Sequence, residues 1–120
     1  TVEYCKQRQQ FGQPIGSFQV LQHRMVDMYM EVEKSSAAVV LAILRLEDDD
    51  TTRARAVSAA KATVGRAAQF VGQQAVQLHG GMGMTEELAI GHYFKRLTAL
   101  QFEFGSTDHH VARYARLTTR

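Results

Sequence analysis

The chain passes from one helix into the next through Gln77-Leu78-His79-Gly80-Gly81-Met82-Gly83-Met84-Thr85-Glu86-Glu87. Gly80 or Gly81 can end a helix in the left-handed region, which needs no ligand. A glycine also has no side chain, so another backbone or a ligand can come close to it. Thr85 with the acids after it predicts an N-cap and a first turn that suits the helix dipole. The stretch therefore predicts a turn between two helices, and both interpretations of its glycines stay open.

Apolar residues before and after this turn recur at spacings of three and four, which is typical of helices with one buried face. The most regular stripe runs from Val57 to Leu78, and small residues such as Gly65 allow a neighbouring helix to come close. Lys61 lies on this stripe, and we expect its aliphatic stem to run along the bundle. A second stripe, from Phe18 to Leu46, predicts another helix with an apolar core face.

These patterns predict four helices, which span about 17–46, about 52–78 after a cap at Thr51 or Thr52, about 86–102, and about 108–118 with Thr107 or Asp108 at the N-terminus. No strand alternation of useful length appears. The sequence therefore predicts an all-α, up-and-down antiparallel bundle of about four helices.

Composition excludes several classes of protein. At 120 residues and 45% hydrophobic content the chain fits one ordinary globular domain. No apolar run approaches the roughly 18 residues that span a bilayer, and a net charge of +2 gives no reason to expect nucleic-acid binding. The lone Cys5 and the absence of a visible signal peptide favour a cytoplasmic or organelle-matrix location.

A metal site is not expected. His109 and His110 are adjacent, and adjacent helical residues point about 100° apart, so they rarely bind one ion together. The acidic run at 47–50 is typical of a solvated loop.

A second motif stands far from the glycine turn: Arg8-Gln9-Gln10-Phe11-Gly12, followed by Phe18-Gln19. Together with the glycine turn and with the segment 103–108, these motifs resemble the C-terminal helical domain of the acyl-CoA dehydrogenase family of flavoenzymes. The resemblance covers nearly the whole chain, with the motifs in the family's order.

The resemblance implies that this domain contributes contacts to FAD, partly in a neighbouring subunit. The residues that correspond to the family's cofactor contacts are Arg8, Gln10, Phe11, Gln19, Gln77, Leu78, His79, Gly80, Gly81, Ser106 and Asp108. Such a role agrees with physical need, because a pyrophosphate requires cationic and amide donors.

The family's reaction is the α,β-dehydrogenation of an acyl-CoA thioester in fatty acid metabolism, with electrons passed on to an electron-transfer flavoprotein. The family's motif Tyr-Glu-Gly-Thr corresponds here to Glu103-Phe104-Gly105-Ser106, so a phenylalanine stands at the position of the catalytic base. Three explanations remain open: Glu103 acts from the next position, the base lies upstream of this chain, or the subunit has lost its base and pairs with an active homologue. A further departure is Lys95-Arg96, where Arg-Asp is usual, so we expect different ion pairs there.

The family's full subunit also has an N-terminal helical domain and a central β-domain. We therefore expect residues 1–120 to be the C-terminal domain of a longer flavoprotein, which assembles as a homo- or hetero-oligomer, a dimer or a tetramer. The isolated domain is expected to lack dehydrogenase activity and to expose apolar surface that other domains or subunits cover. The alternative is a non-catalytic helical interaction or structural subunit.

Overall fold

The computed structural model describes residues 1–84 and 89–119. In chain order the elements of these residues are α1 (Val2–Gln7), β1 (Gln9–Gln10), β2 (Gln13–Pro14), α2 (Gln19–Leu44), α3 (Asp50–His79), α4 (Ile90–Leu100) and α5 (Thr107–Thr118). Short 3₁₀ helices at Ile15–Ser17 and Gly80–Met84 precede α2 and follow α3. The predicted all-α fold with four long helices is confirmed.

The helix α3 lies at the centre of the molecule, because α2, α4 and α5 all pack against it. The start of α2 meets the end of α3, where Arg24 Nη1 lies 3.4 Å from Gln74 Oε1. The end of α2 meets the start of α3, where Arg45 and Thr52 line one cleft. These two helices are therefore antiparallel, as the sequence predicted.

The helices α4 and α5 also run antiparallel to α3, and they follow one another along it. Leu97 of α4 lies beside Gly72, whereas His110 of α5 lies beside Ser58, nearer the start of α3. Lys61 lies at the junction, where its Nζ donates to the Leu100 carbonyl at 3.2 Å. The segment 101–106 between α4 and α5 is thereby held against the first half of α3.

Lys61 is half-buried, and its ammonium donates to the backbone carbonyls of Leu100 and Gln101. These carbonyls belong to the last residues of α4, whose C-terminal oxygens have no partner within the helix. A cation there also complements the negative end of the helix dipole. Lys61 therefore stabilises the end of α4, and nothing assigns it a chemical role.

The ends of two helices differ from the sequence prediction. The N-cap of α3 is Asp49, and neither Thr51 nor Thr52, because its carboxylate accepts from both of their backbone N–H groups at 3.0 and 3.1 Å. The N-cap of α5 is Ser106, whose Oγ accepts from the His109 N–H at 3.2 Å. A carboxylate or hydroxyl that precedes the first turn reaches these donors better than a side chain already inside it.

The helix predicted over 86–102 lies partly outside the described residues, and so does its expected cap at Thr85. Within the described part, the helix begins at Ile90 and ends at Leu100, two residues earlier than predicted.

The main apolar core lies at the end of the molecule where α1, α2 and the last turns of α3 meet. It consists of Cys5, Ile15, Met28, Ala75 and Leu78. Burial raises the pKa of the Cys5 thiol because the thiolate would lose its hydration.

The predicted core stripe of α2 is only half correct. Leu21, Met25 and Met28 pack into the core, but Val32, Val39 and Leu46 are exposed. Beyond Met28, other large apolar residues of α2 are exposed too, among them Val40, Leu41, Ile43 and Leu44. No helix among the described residues is long and apolar enough to cross a membrane.

Candidate functional site

An open cleft of about 480 Å³ lies at the core end of the molecule, between α1, the hairpin, the first turns of α2 and the end of α3. Its lining residues are Tyr4, Arg8, Gln10, Ile15, Leu21, Arg24, Gln77, Leu78, His79, Gly80 and Gly81. The cleft thus joins the two distant sequence motifs, because both the Arg8 segment and the glycine turn form its walls.

The hairpin determines where Arg8 and Gln10 stand. Gln9 pairs with Pro14 and Gln10 with Gln13, and the backbone N–H of Ile15 donates to the Arg8 carbonyl at 2.8 Å. The turn between the strands needs positive φ at both central residues; Phe11 has a φ of 55° and Gly12 of 77°. The hairpin was not predicted from the sequence, because strands of two residues show no alternation.

Two guanidinium groups give the cleft its electrostatic character. Arg8 enters from the end of α1 and Arg24 from α2, and amide side chains of Gln10 and Gln77 add hydrogen-bond donors. Among the described lining residues there is no carboxylate. Two guanidinium groups in a cleft whose described lining has no carboxylate favour an anion, and their planar fork matches the geometry of phosphate oxygens.

The glycines of the turn differ in the physical requirement that each one meets. Gly80 ends α3 with a φ of 60°, which a side chain rarely adopts. A Cβ on Gly83 would lie 2.6 Å from the Val76 carbonyl oxygen. A Cβ on Gly81 would meet nothing within 4 Å, and its φ lies outside the left-handed region. Both interpretations of the turn therefore apply: Gly80 serves the helix end, whereas nothing among the described atoms requires the missing side chain of Gly81.

His79 lines the cleft, and its side chain is buried. Its Nδ1 lies 2.7 Å from the Ala75 carbonyl, and since a carbonyl oxygen only accepts, this partner assigns the proton to Nδ1. The ring of Tyr4 stacks on it, with 4.3 Å between ring centroids. The imidazole is therefore held in one orientation.

The structure brings together in this cleft most of the residues that the sequence predicted for the cofactor: Arg8, Gln10, Gln77, Leu78, His79, Gly80 and Gly81. Phe11 is outside the cleft lining, 88% exposed at the hairpin tip, with its ring edge against Phe18. Gln19 is exposed as the first residue of α2. Their roles and those of the cleft residues stay predictions.

Ser106 and Asp108 lie elsewhere, in a smaller cleft of about 280 Å³ beside the start of α5. The hydroxyl of Ser106 is used as the N-cap of α5. The two predicted groups of residues therefore form separate regions of this chain.

Sequence reasoning missed Arg24 and the apolar or aromatic lining residues Tyr4, Ile15 and Leu21. The only available signal for Arg24 was its position one helical turn after Leu21, on the side of α2 that packs against the core.

The segment 101–106 carries the position where the base was expected. Phe104 is 92% exposed and has a φ of 58°, which is unfavourable for a bulky residue. Glu103 is bound by Arg96, with Nη1 and Oε1 3.1 Å apart. This ion pair joins Arg96 and Glu103, which both depart from the family's motifs.

No group of three or more histidine, cysteine, aspartate or glutamate side chains suited to a metal ion was found among the described residues.

Comparison with known proteins gives one consistent result. The family model described as "Acyl-CoA dehydrogenase, C-terminal domain" matches residues 1–118. Acyl-CoA dehydrogenase IpdE2 of Mycolicibacterium smegmatis is 43% identical over 96 residues, which are 80% of this chain and 29% of that protein.

Solved structures agree with the sequence matches. The ChsE4-ChsE5 complex from Mycobacterium tuberculosis matches with a TM-score of 0.90 and 28% identity, over 98% of this chain and 32% of that one. The FAD complex of PigA matches with a TM-score of 0.86 and 28% identity, over 96% of this chain and 30% of that one. The chain thus spans about 30% of the length of the proteins that it resembles.

Proposed function

This chain belongs to the acyl-CoA dehydrogenase family, and from that membership we propose that it is the C-terminal helical domain of a longer FAD-dependent acyl-CoA dehydrogenase. In that protein it holds part of the cofactor and forms part of the subunit interface. IpdE2 of Mycolicibacterium smegmatis is about three times as long as this chain, which supports a domain within a larger polypeptide.

The observation that carries the proposal is the cleft lined by Arg8, Arg24 and the glycine turn. FAD contains a pyrophosphate, and the cleft offers two guanidinium groups with no described carboxylate to compete for them. Gly81 leaves open space where a side chain would stand, so the cofactor can approach the backbone there. The chemistry of the cleft therefore fits the nucleotide part of FAD.

Each wall of the cleft has a distinct part in holding the cofactor. Arg8 and Arg24 would bind phosphate oxygens, Gln10 and Gln77 would donate hydrogen bonds, and His79, stacked on Tyr4, would form one side of the site. The exposed ring of Phe11 at the hairpin tip and the exposed Gln19 at the start of α2 extend the surface toward a neighbouring subunit. Bound FAD supplies the hydride acceptor for α,β-dehydrogenation.

The reaction also needs a carboxylate base near the thioester. Phe104 cannot take a proton, and the carboxylate of Glu103 is engaged by Arg96. We therefore propose that the base of a working enzyme lies outside these residues, in another part of the polypeptide. An acyl-CoA thioester is then the substrate and an electron-transfer flavoprotein the electron acceptor.

Phe104 favours a second candidate function, a subunit without a base that pairs with a catalytically active homologue. This chain is similar to a chain of the ChsE4-ChsE5 complex, and that complex supports a proposal of assembly between different chains. The exposed apolar residues of α2 fit either a homomeric or a heteromeric interface.

The absorption spectrum of the purified full-length protein, followed during anaerobic titration with a series of acyl-CoA thioesters, tests these alternatives. Bleaching of a bound flavin supports an enzyme with its own base. A bound flavin that bleaches only after a homologous subunit is added supports the base-less partner. A full-length protein that purifies without flavin and takes up none would contradict the proposed function and favour a helical interaction module.

A further inference from the structure

A buried polar chain connects α3, α5 and the segment 101–106. Arg113 Nη1 donates to Ser58 Oγ at 2.7 Å, and His110 Nδ1 lies 3.4 Å from the same oxygen. On its other side the His110 ring approaches the Phe104 carbonyl, with Nε2 at 2.8 Å. Ser58 is fully buried and His110 is 7% exposed. The cofactor cleft uses none of these residues.

The direction of the hydrogen bonds follows from the chemistry of the groups. The Phe104 carbonyl only accepts, so His110 Nε2 carries a proton, and in the neutral imidazole Nδ1 then accepts from the Ser58 hydroxyl. The Ser58 oxygen then accepts from Arg113, which also donates to the Ala54 carbonyl at 3.1 Å. One branch of this chain, from Arg113 through Ser58 and His110, therefore ends on the backbone carbonyl of Phe104.

That backbone group belongs to a strained residue. A φ of 58° is unfavourable for a bulky side chain, and such residues cluster at functional sites. Gly105, with a φ of 99°, allows the tight path, because a Cβ there would lie 2.9 Å from His110 Nε2. The ring of Phe104 nevertheless contributes nothing to the core, since it is 92% exposed.

We propose that His110 is a positioning residue that, through its hydrogen bond to the Phe104 carbonyl, holds the Phe104 ring outward against the acyl part of a bound acyl-CoA. This inference rests on the proposed function for the identity of the ligand. An exposed, strained aromatic ring that is backed by a buried hydrogen-bond chain suits contact with an apolar acyl group.

The substitution His110→Leu removes the donor, and His110→Gln keeps one donor and one acceptor. His92→Leu is the matched control, because His92 is exposed on α4. We expect cleavage of the full-length protein by chymotrypsin after Phe104 to accelerate in His110→Leu and to stay at the wild-type rate in His110→Gln and in the control. Equal cleavage in His110→Leu and wild type, at equal melting temperature, would overturn the positioning role.

Affinity for octanoyl-CoA, measured by calorimetry on the same proteins, tests the contact with ligand. Loss of one hydrogen bond that orients the ring should weaken binding about five- to tenfold in His110→Leu, with rescue in His110→Gln. In the Phe104→Ala background, His110→Leu should have no further effect, because His110 acts only through the ring. An equal loss of affinity in both backgrounds would overturn the proposal.

Failure of the proposed function gives a different result. If the wild-type protein takes up no FAD and binds no acyl-CoA, the ligand assignment falls with the proposed function. The cleavage experiment still decides whether His110 holds the segment, since it needs no ligand.

Discussion

At the scale of single residues, two glycines of the turn differ in what requires them: Gly83 is needed for folding, whereas Gly81 leaves room for a ligand. Gly83 is required by the chain itself, because a Cβ there would lie 2.6 Å from the Val76 carbonyl oxygen. Gly81 has open space around it and a φ that alanine can adopt. The two positions therefore form a natural pair of substitutions, each the control for the other.

We predict that Gly83→Ala lowers the free energy of unfolding by about 1–3 kcal/mol, as overpacking does. Gly81→Ala should leave that free energy unchanged or raise it by about 0.4–1 kcal/mol through the unfolded state, yet reduce the FAD content of the full-length protein. Denaturant unfolding and flavin absorbance measure the two effects. Full flavin content in Gly81→Ala would show that the cofactor does not approach the backbone there.

The ends of the helices give a prediction at the scale of secondary-structure elements. The Thr52 hydroxyl and the backbone N–H groups of Thr51 and Thr52 lower the pKa of Asp49, because they hydrogen-bond to its charged form. A lowered pKa in the folded state means that the charged cap stabilises the protein above the unfolded-state pKa of about 3.9. That stabilisation is lost as the pH falls through the folded-state pKa.

We therefore predict that Asp49→Asn lowers the melting temperature at neutral pH and that the difference from wild type shrinks as the pH falls below about 4. Glu47→Gln is the matched control, since Glu47 is exposed in the same loop. Thermal melting by circular dichroism at several pH values measures the effect. A difference that stays constant with pH would contradict a role for the charge of Asp49.

The helices were predictable because the apolar spacing that marks each of them lies within one continuous stretch of sequence. Spacings of three and four residues determine where α2 and α3 run, and both glycine motifs mark turns. The caps were assigned one to three residues late, because several adjacent residues can accept the same N–H groups and only the backbone path decides between them. The end-to-end arrangement of α4 and α5 along α3 was not predictable, since apolar spacing does not say which part of a neighbour each helix covers.

The candidate site shows the same limit. Arg8 and the glycine turn were found through motifs, whereas Arg24 becomes part of the cleft only because α2 packs against the end of α3. Glu103 and Arg96 stand seven residues apart and pair across the end of α4. Contacts that arise from tertiary packing leave little trace in a single sequence.

The whole molecule is an elongated helical body of 59 × 26 × 22 Å with an incomplete core. The C-terminal half of α2 exposes a row of large apolar side chains, and exposed patches of this kind mark interaction surfaces. We predict that residues 1–120 expressed alone self-associate at micromolar concentration and have no dehydrogenase turnover. Sedimentation velocity and an anaerobic dye-reduction assay with acyl-CoA measure these properties.

Charged substitutions on this surface test whether the exposed apolar residues of α2 cause the self-association. Val40→Lys and Ile43→Lys place cations among the exposed apolar residues, and we expect the double variant to remain monomeric. Ala37→Lys, exposed earlier on the same helix, is the control. Dehydrogenase turnover by the isolated chain would contradict the proposal that the active site needs other parts of the protein.

The central claim is that the cleft between the Arg8 segment and the glycine turn holds FAD, and the flavin content of the full-length protein tests it most directly. Arg8→Ala removes a charge-assisted contact worth about 1.5–3 kcal/mol, so we predict FAD affinity to fall about tenfold or more. Arg116→Ala makes the same change of charge at an exposed position outside the cleft and should leave the affinity unchanged. Equal FAD affinity in Arg8→Ala, Arg116→Ala and wild type would contradict the account.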